Sequence, residues 1–98
     1  MDTWPFSDPP NVAAITTKQI IRDGHAVLLV VHDEEDGGWQ FLHGGAFAVE
    51  DGMVVALKTV IHLDPTLAEL ADLPLGWEAT RKDKTQPWSR RKVVEDGL

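Results

Sequence analysis

The sequence of 98 residues has no cysteine, no tyrosine and only two methionines. Without thiols, a disulfide framework, a cysteine nucleophile and a thiolate metal site are all excluded. Long apolar runs are missing as well. The longest, Ala26 to Val31, is strand-sized and far short of the roughly 20 residues of a membrane span, so no membrane partner is expected. Met1-Asp2-Thr3-Trp4-Pro5 lacks the basic start and apolar stretch of a signal peptide, and a cytoplasmic location is expected. Ser7 and Ser89 are the only serines, and neither stands in a nucleophile elbow. Gly37-Gly38 and Gly44-Gly45 have neither the Walker spacing nor a glycine fingerprint opening a helix. No cofactor is implied, no catalytic residue can be named, and the balance leans away from an enzyme.

Cations are scarce over most of the chain. Residues 1–80 hold three bases (Lys18, Arg22, Lys58) against thirteen acids, whereas residues 81–98 hold six bases against three acids. The net −7 is therefore a −10 body joined to a +3 tail. Such a tail either folds back on its own body or meets an external anion. Folding back is favoured, with Trp88 as an apolar anchor. An acidic body would repel a duplex and no nucleic-acid-binding motif accompanies the basic run, which argues against nucleic acid.

What is present describes one small domain. The chain is 43% hydrophobic and 26% charged, too apolar for disorder. Pro5, Pro9 and Pro10 make residues 1–11 a Pro-rich arm that Trp4 and Phe6 can pin to the body. Val12 to Thr16 is β-capable, and Thr17 can cap a short helix. His25 to Asp33 predicts a strand apolar on both faces, hence central and covered on both sides. Glu34 to Gly38 is a turn, and Trp39 to His43 returns as the antiparallel partner. Ala46 to Val49 reads as a short extended piece. Met53–Val55 reads as strand and the residues after it as helix, with Lys58, Thr59 and His62 on its polar side. Asp64-Pro65 starts another helix whose buried stripe is Leu67, Leu70, Ala71 and Leu73. Gly76 to Arg81 is extended again. The expectation is an α+β fold: a small, mostly antiparallel sheet around a central hairpin (about 25–33 and 39–43) with two or three short helices. Residues 12–92 form this single domain with its basic C-terminal segment, and residues 93–98 a frayed tail.

The four histidines, His25, His32, His43 and His62, are separated by 7, 11 and 19 positions, not by zinc-site spacings. Alternation puts His25 and His32 on opposite faces. A turn centred near Asp36 brings His43 opposite Leu29, several ångströms along the sheet from His25. No metal site is expected. Asp33 to Gly37 fails the calcium-loop pattern because Gly37 stands where the fifth position needs an oxygen ligand. Four tryptophans are unusual for a chain of this length. Trp39 and Trp77 fall in β-like runs as core or core-edge residues. Trp4 and Trp88 lie beside prolines, as staples of the two ends or as an exposed patch for a partner.

In order along the chain, Gly38-Trp39-Gln40-Phe41, Asp64-Pro65-Thr66-Leu67 with Leu70, Leu73-Pro74-Leu75-Gly76 and Arg81 resemble a family of small bacterial proteins known only as a domain of unknown function. Some of its members are grouped with proposed toxin-immunity proteins, the immunity-protein-33-like set. The resemblance covers residues 12–82 and implies a compact α+β domain with no established reaction. Relatives often carry an acidic stretch after the G-W-x-F strand. Here His43-Gly44-Gly45-Ala46 stands instead, so no function tied to that stretch is carried over. Two functional expectations follow. The first is a non-catalytic protein-binding module, immunity-like, meeting a basic protein partner through Asp33, Glu34, Glu35 and Asp36 with Trp39 or Trp88 nearby. The second is a small enzyme or ligand-binding domain with a pocket lined by His25, His43 and Trp77. The oligomeric state is left open.

Overall fold

A computed structural model describes residues 4–93. The expected α+β architecture is present as a six-stranded sheet. Its strands are β1 (Ala13–Thr17), β2 (Leu29–His32), β3 (Trp39–Leu42), β4 (Gly52–Ala56), β5 (Trp77–Thr80) and β6 (Ser89–Lys92). Their order is β4-β1-β3-β2-β5-β6, and every neighbouring pair is antiparallel except β1 and β3. The helical elements are the single turn α1 (Lys18–Ile21), α2 (Leu57–Leu63) and 3-10 segments at Val49–Asp51 and Pro65–Leu70. The change from strand to helix after Ala56 follows the polar spacing of Lys58, Thr59 and His62, which leaves Leu57, Val60 and Ile61 buried.

The helical layer lies on one face only. The core joins Ala14, Val30, Trp39, Phe41 and Ala79 of the sheet to Ile20, Leu57, Val60, Leu67, Leu70 and Leu73. Alternation and register place Val54, Ile15, Gln40, Val31 and Glu78 in one row across the opposite face. None of these five belongs to the core; Val54 is 71% and Ile15 47% exposed. The expected two-sided covering of the central strand is therefore corrected: Val30 is fully buried, while Leu29 and Val31 are half-buried on the open side.

Three further expectations are corrected. The strand expected over 25–33 is regular only from Leu29 to His32. Val27 is diverted because its carbonyl accepts from Nε and Nη2 of Arg81 (3.0 and 2.9 Å). Ala46 to Val49 forms no strand; Asp51 accepts from the Ala48 amide and tightens the chain into a 3-10 turn. Thr17 starts α1 without capping it, since its side chain makes no cap bond. Asp64 does cap Pro65–Leu70 by accepting from the Thr66 amide, with i to i+3 bonds closing that segment.

Both ends of the described chain are tied to the body. Phe6 is buried, and the Trp4 indole N–H donates to the Asp8 carbonyl (2.6 Å). The basic segment folds back. Arg90 pairs with Asp72 (2.9 Å) and Arg91 with Glu78 (2.5 Å). Of the tail expected to fray, all but Val93 lies outside the described residues.

Gly76 enters β5 with φ +81°, donates to the His32 carbonyl (2.7 Å) and accepts from Val93 (2.8 Å). A Cβ there would meet the Glu34 carboxylate at 2.9 Å, a flexible neighbour that can move, so the backbone sets the cost. Gly76→Ala is expected to lower unfolding free energy by about 1–2 kcal/mol, measured by urea titration. An unchanged midpoint would contradict this.

Candidate functional site

The β2–β3 connection brings the largest run of like charge to one end of the sheet. Asp33 donates its amide to the Gly38 carbonyl (2.8 Å) and accepts from Gly37 at its own carbonyl (3.0 Å). Gly37, at φ +72°, supplies the left-handed step that closes the loop. Two carboxylates shape the turn: Asp33 Oδ1 accepts from the Glu35 amide and Asp36 Oδ1 from the Gly38 amide. Glu34, Glu35 and Asp36 are exposed and Asp33 is half-buried. Among the described residues none of the four forms an ion pair.

Shallow concavities flank the turn, and Asp33 is a wall of both. One, of about 240 Å³, runs between Val31, Glu34, Glu35, Gly76 and Val93. The other, of about 250 Å³, is lined by Ile15, Gln40 and Val54 together with Asp33 and Asp36. The turn thus offers carboxylates beside half-exposed apolar surface, an arrangement suited to the stems and heads of lysine or arginine side chains.

Neither tryptophan expected beside this turn is available there. Trp39 is adjacent but only 2% exposed. Its ring stacks on His32 at 3.8 Å, meets Phe6 edge-on at 5.2 Å, and its N–H donates to Asp8 Oδ2 (2.9 Å). Trp88 precedes Ser89, which pairs with Thr80 at the end of β5 remote from the turn. It is half-buried, with the Arg81 guanidinium 4.2 Å from its ring centre.

The alternative pocket is divided. Trp77 pairs with His32 at one end of β2, whereas His43 lies beyond the Leu29–Leu42 pair at the other. His25 and His43 do meet, with rings edge to face at 5.4 Å, and Phe47 packs on His43. The expected register was off by one: Leu42, not His43, faces Leu29. Thr17 Oγ1 lies 3.4 Å from His43 Nδ1. His32 is engaged elsewhere, donating from Nδ1 to the Leu73 carbonyl (2.7 Å). Among the described residues no group of three or more His, Asp or Glu is placed to hold a metal ion, and no helix is long and apolar enough to cross a membrane.

Composition hid one further cluster. Arg81 and Asp64 form an ion pair at 2.8 Å with side chains 2% and 8% exposed. Thr66 donates its amide and hydroxyl to Asp64 Oδ1. Burial alone would raise the Asp64 pKa; the Thr66 hydroxyl, the Arg81 guanidinium and the Thr66 amide outweigh it and hold the carboxyl below its ordinary 3.8. This cluster anchors β5 to the 3-10 segment. Comparison with protein-family models, curated proteins and solved structures finds no match for this chain.

Proposed function

We propose that this chain is a small bacterial, cytoplasmic, non-catalytic protein-binding module of the immunity type, taking a basic protein partner on the Asp33–Asp36 turn. One observation carries the reading: among the described residues none of the four consecutive carboxylates pairs with a cation, while three arginines of the basic segment are already paired. Charge that the fold leaves unmatched is available to steer a partner of opposite sign. The two flanking concavities add apolar contact beside it. The resemblance of Gly38-Trp39-Gln40-Phe41 and Asp64-Pro65-Thr66-Leu67 to the immunity-protein-33-like set supports the same reading.

The test replaces the turn charges together: Asp33→Asn, Glu34→Gln, Glu35→Gln and Asp36→Asn. Immobilised wild type is expected to retain a basic protein from source lysate at low salt and release it as salt rises. The neutralised variant should lose that protein and, with it purified, associate at least about tenfold more slowly. Retention of every partner by the neutralised variant would sink the proposal.

A further inference from the structure

The open face of the sheet is apolar at its centre and acidic along one margin. Val54, Ile15, Gln40 and Val31 stand side by side across β4, β1, β3 and β2, with Val54 71% and Ile15 47% exposed. Glu78 follows on β5, and Arg91 opposite it on β6 is its ion-pair partner. Two positions beyond Val31, Asp33 continues the same side of the chain into the acidic turn. Both concavities beside that turn open on this face. One is lined by Ile15, Gln40 and Val54, the other by Val31, Gly76 and Val93, and Asp33 is a wall of each.

Given the protein-binding reading above, on which this rests, we propose that the open face docks a basic amphipathic helix of the partner protein. Its apolar side lies on Ile15, Val54 and Val31, and a lysine or arginine reaches Asp33. Backbone hydrogen bonding selects a helix over a strand. A segment covering the face of a sheet meets side chains, because the sheet's amides and carbonyls point along its plane. The segment's own backbone groups must then be satisfied internally, as they are in a helix and are not in a lone strand.

The spacing agrees. One concavity lies over β1 and β3 and the other over β2 and the entry to β5, so their centres are about two strand spacings, roughly 10 Å, apart. Helix residues seven positions apart share a side and are separated by about 10.5 Å, with the residue midway between them facing the same way. Two apolar side chains at that interval fill the concavities while a cation between them meets Asp33. Charge selects the occupant. Among the described residues Asp33, Glu34, Glu35 and Asp36 have no ion-pair partner, whereas Glu78 is already matched. Lysine and arginine stems cover apolar surface while their heads reach such carboxylates. A second copy would instead bring a like net charge of −7 to the face.

The test uses the full chain and a synthetic peptide of about 18 residues, roughly 27 Å long as a helix. Leucines stand seven apart with lysines midway between, on an alanine and glutamine background. A shuffled peptide that spreads the same residues round the helix, and an oligolysine, are the comparisons. Wild type is expected to bind the amphipathic peptide at least about tenfold more tightly than the shuffled one, with NMR shifts at Ile15, Gln40, Val31 and Val54. Ile15→Thr with Val54→Thr keeps β-branched residues at two exposed positions, so the fold is retained. That variant should bind the amphipathic peptide about tenfold more weakly and oligolysine within about twofold of wild type. Neutralising the turn should weaken both ligands. Equal binding of amphipathic and shuffled peptides, an unaffected threonine variant, or a wild-type dimer that the threonine substitutions dissociate would each overturn the helix-docking proposal. Oligolysine still lost on neutralising the turn would then leave the acidic-turn reading standing. Undiminished binding of both ligands by the neutralised protein would remove that reading too.

Discussion

Asp64→Asn is expected to lower the free energy of unfolding by about 3–5 kcal/mol, the range for breaking one half of a buried ion pair. The Arg81 guanidinium is almost fully enclosed and makes five contacts. Nε and Nη2 donate to the Val27 carbonyl, Nη2 donates to Asp64, Nη1 reaches Thr66 at 3.4 Å, and the plane lies against Trp88. Neutralising Asp64 leaves the cation in place without its counter-charge. Small domains have about 5–15 kcal/mol in total, so the variant should be partly unfolded at physiological temperature. Urea titration followed by tryptophan fluorescence measures the loss. Replacing both partners by apolar residues, Asp64→Leu with Arg81→Met, should cost less than Asp64→Leu alone, because no buried charge is then stranded. Additive losses would show that the pair is not coupled.

The same pair sets a pH dependence whose sign follows from the lowered Asp64 pKa. A carboxyl more acidic in the folded state than its ordinary 3.8 contributes stability that is fully present above that value. The contribution disappears as pH falls through the lower, folded-state value. Asp51, Asp72 and Asp83 are also lowered, by hydrogen bonds first of all from Gln19, Arg90 and Thr85, but Asp72 and Asp83 are exposed and Asp51 only half-buried, so they mark the same limb more weakly. Subtracting the acid limb of Asp64→Asn from that of wild type isolates the buried group. A difference that does not shrink below pH 4 would contradict the assignment.

Local patterns made much of the fold legible. The hairpin follows from β-branched residues around a glycine-ended acidic turn, α2 from the polar spacing after Ala56, and the Pro65–Leu70 segment from the Asp64-Pro65 start. Long-range consequences were not legible. Alternation in β2 states that both faces are apolar, but not that the helical layer covers only the Val30 face. Arg81 meets Val27 across 54 positions and Asp64 across 17, and no local pattern encodes those separations. The one-residue register error at His43 came from centring the turn on Asp36. The bonds between Asp33 and Gly38 centre it between Glu35 and Asp36. For the acidic site the charges themselves were readable. The burial of Trp39 and the exposure of Ile15 and Val54 depend on which face the helices occupy.

Trp39→Ala is expected to destabilise the fold by about 3–5 kcal/mol, as large-to-small changes of buried aromatics do. The ring sits at the centre of the sheet on β3, between His32 on β2 and Phe6 of the N-terminal arm. Its loss opens a cavity, strips Phe6 of its edge contact and leaves the Asp8 carboxylate without its indole donor. Two explanations for a binding defect at this position make different predictions. If Trp39 touched the partner, Trp39→Phe would weaken binding even where the variant is fully folded. The buried geometry predicts otherwise. Trp39→Phe should cost about 1–3 kcal/mol, through the lost N–H bond and a smaller ring, yet bind like wild type at temperatures where it remains folded. Loss of binding should instead follow removal of charge at Asp33–Asp36, with stability nearly unchanged because those side chains are mostly exposed. Thermal denaturation beside binding on the same two variants separates the roles. A fully folded Trp39→Phe that no longer binds would place the tryptophan in the interface and overturn its assignment to the core.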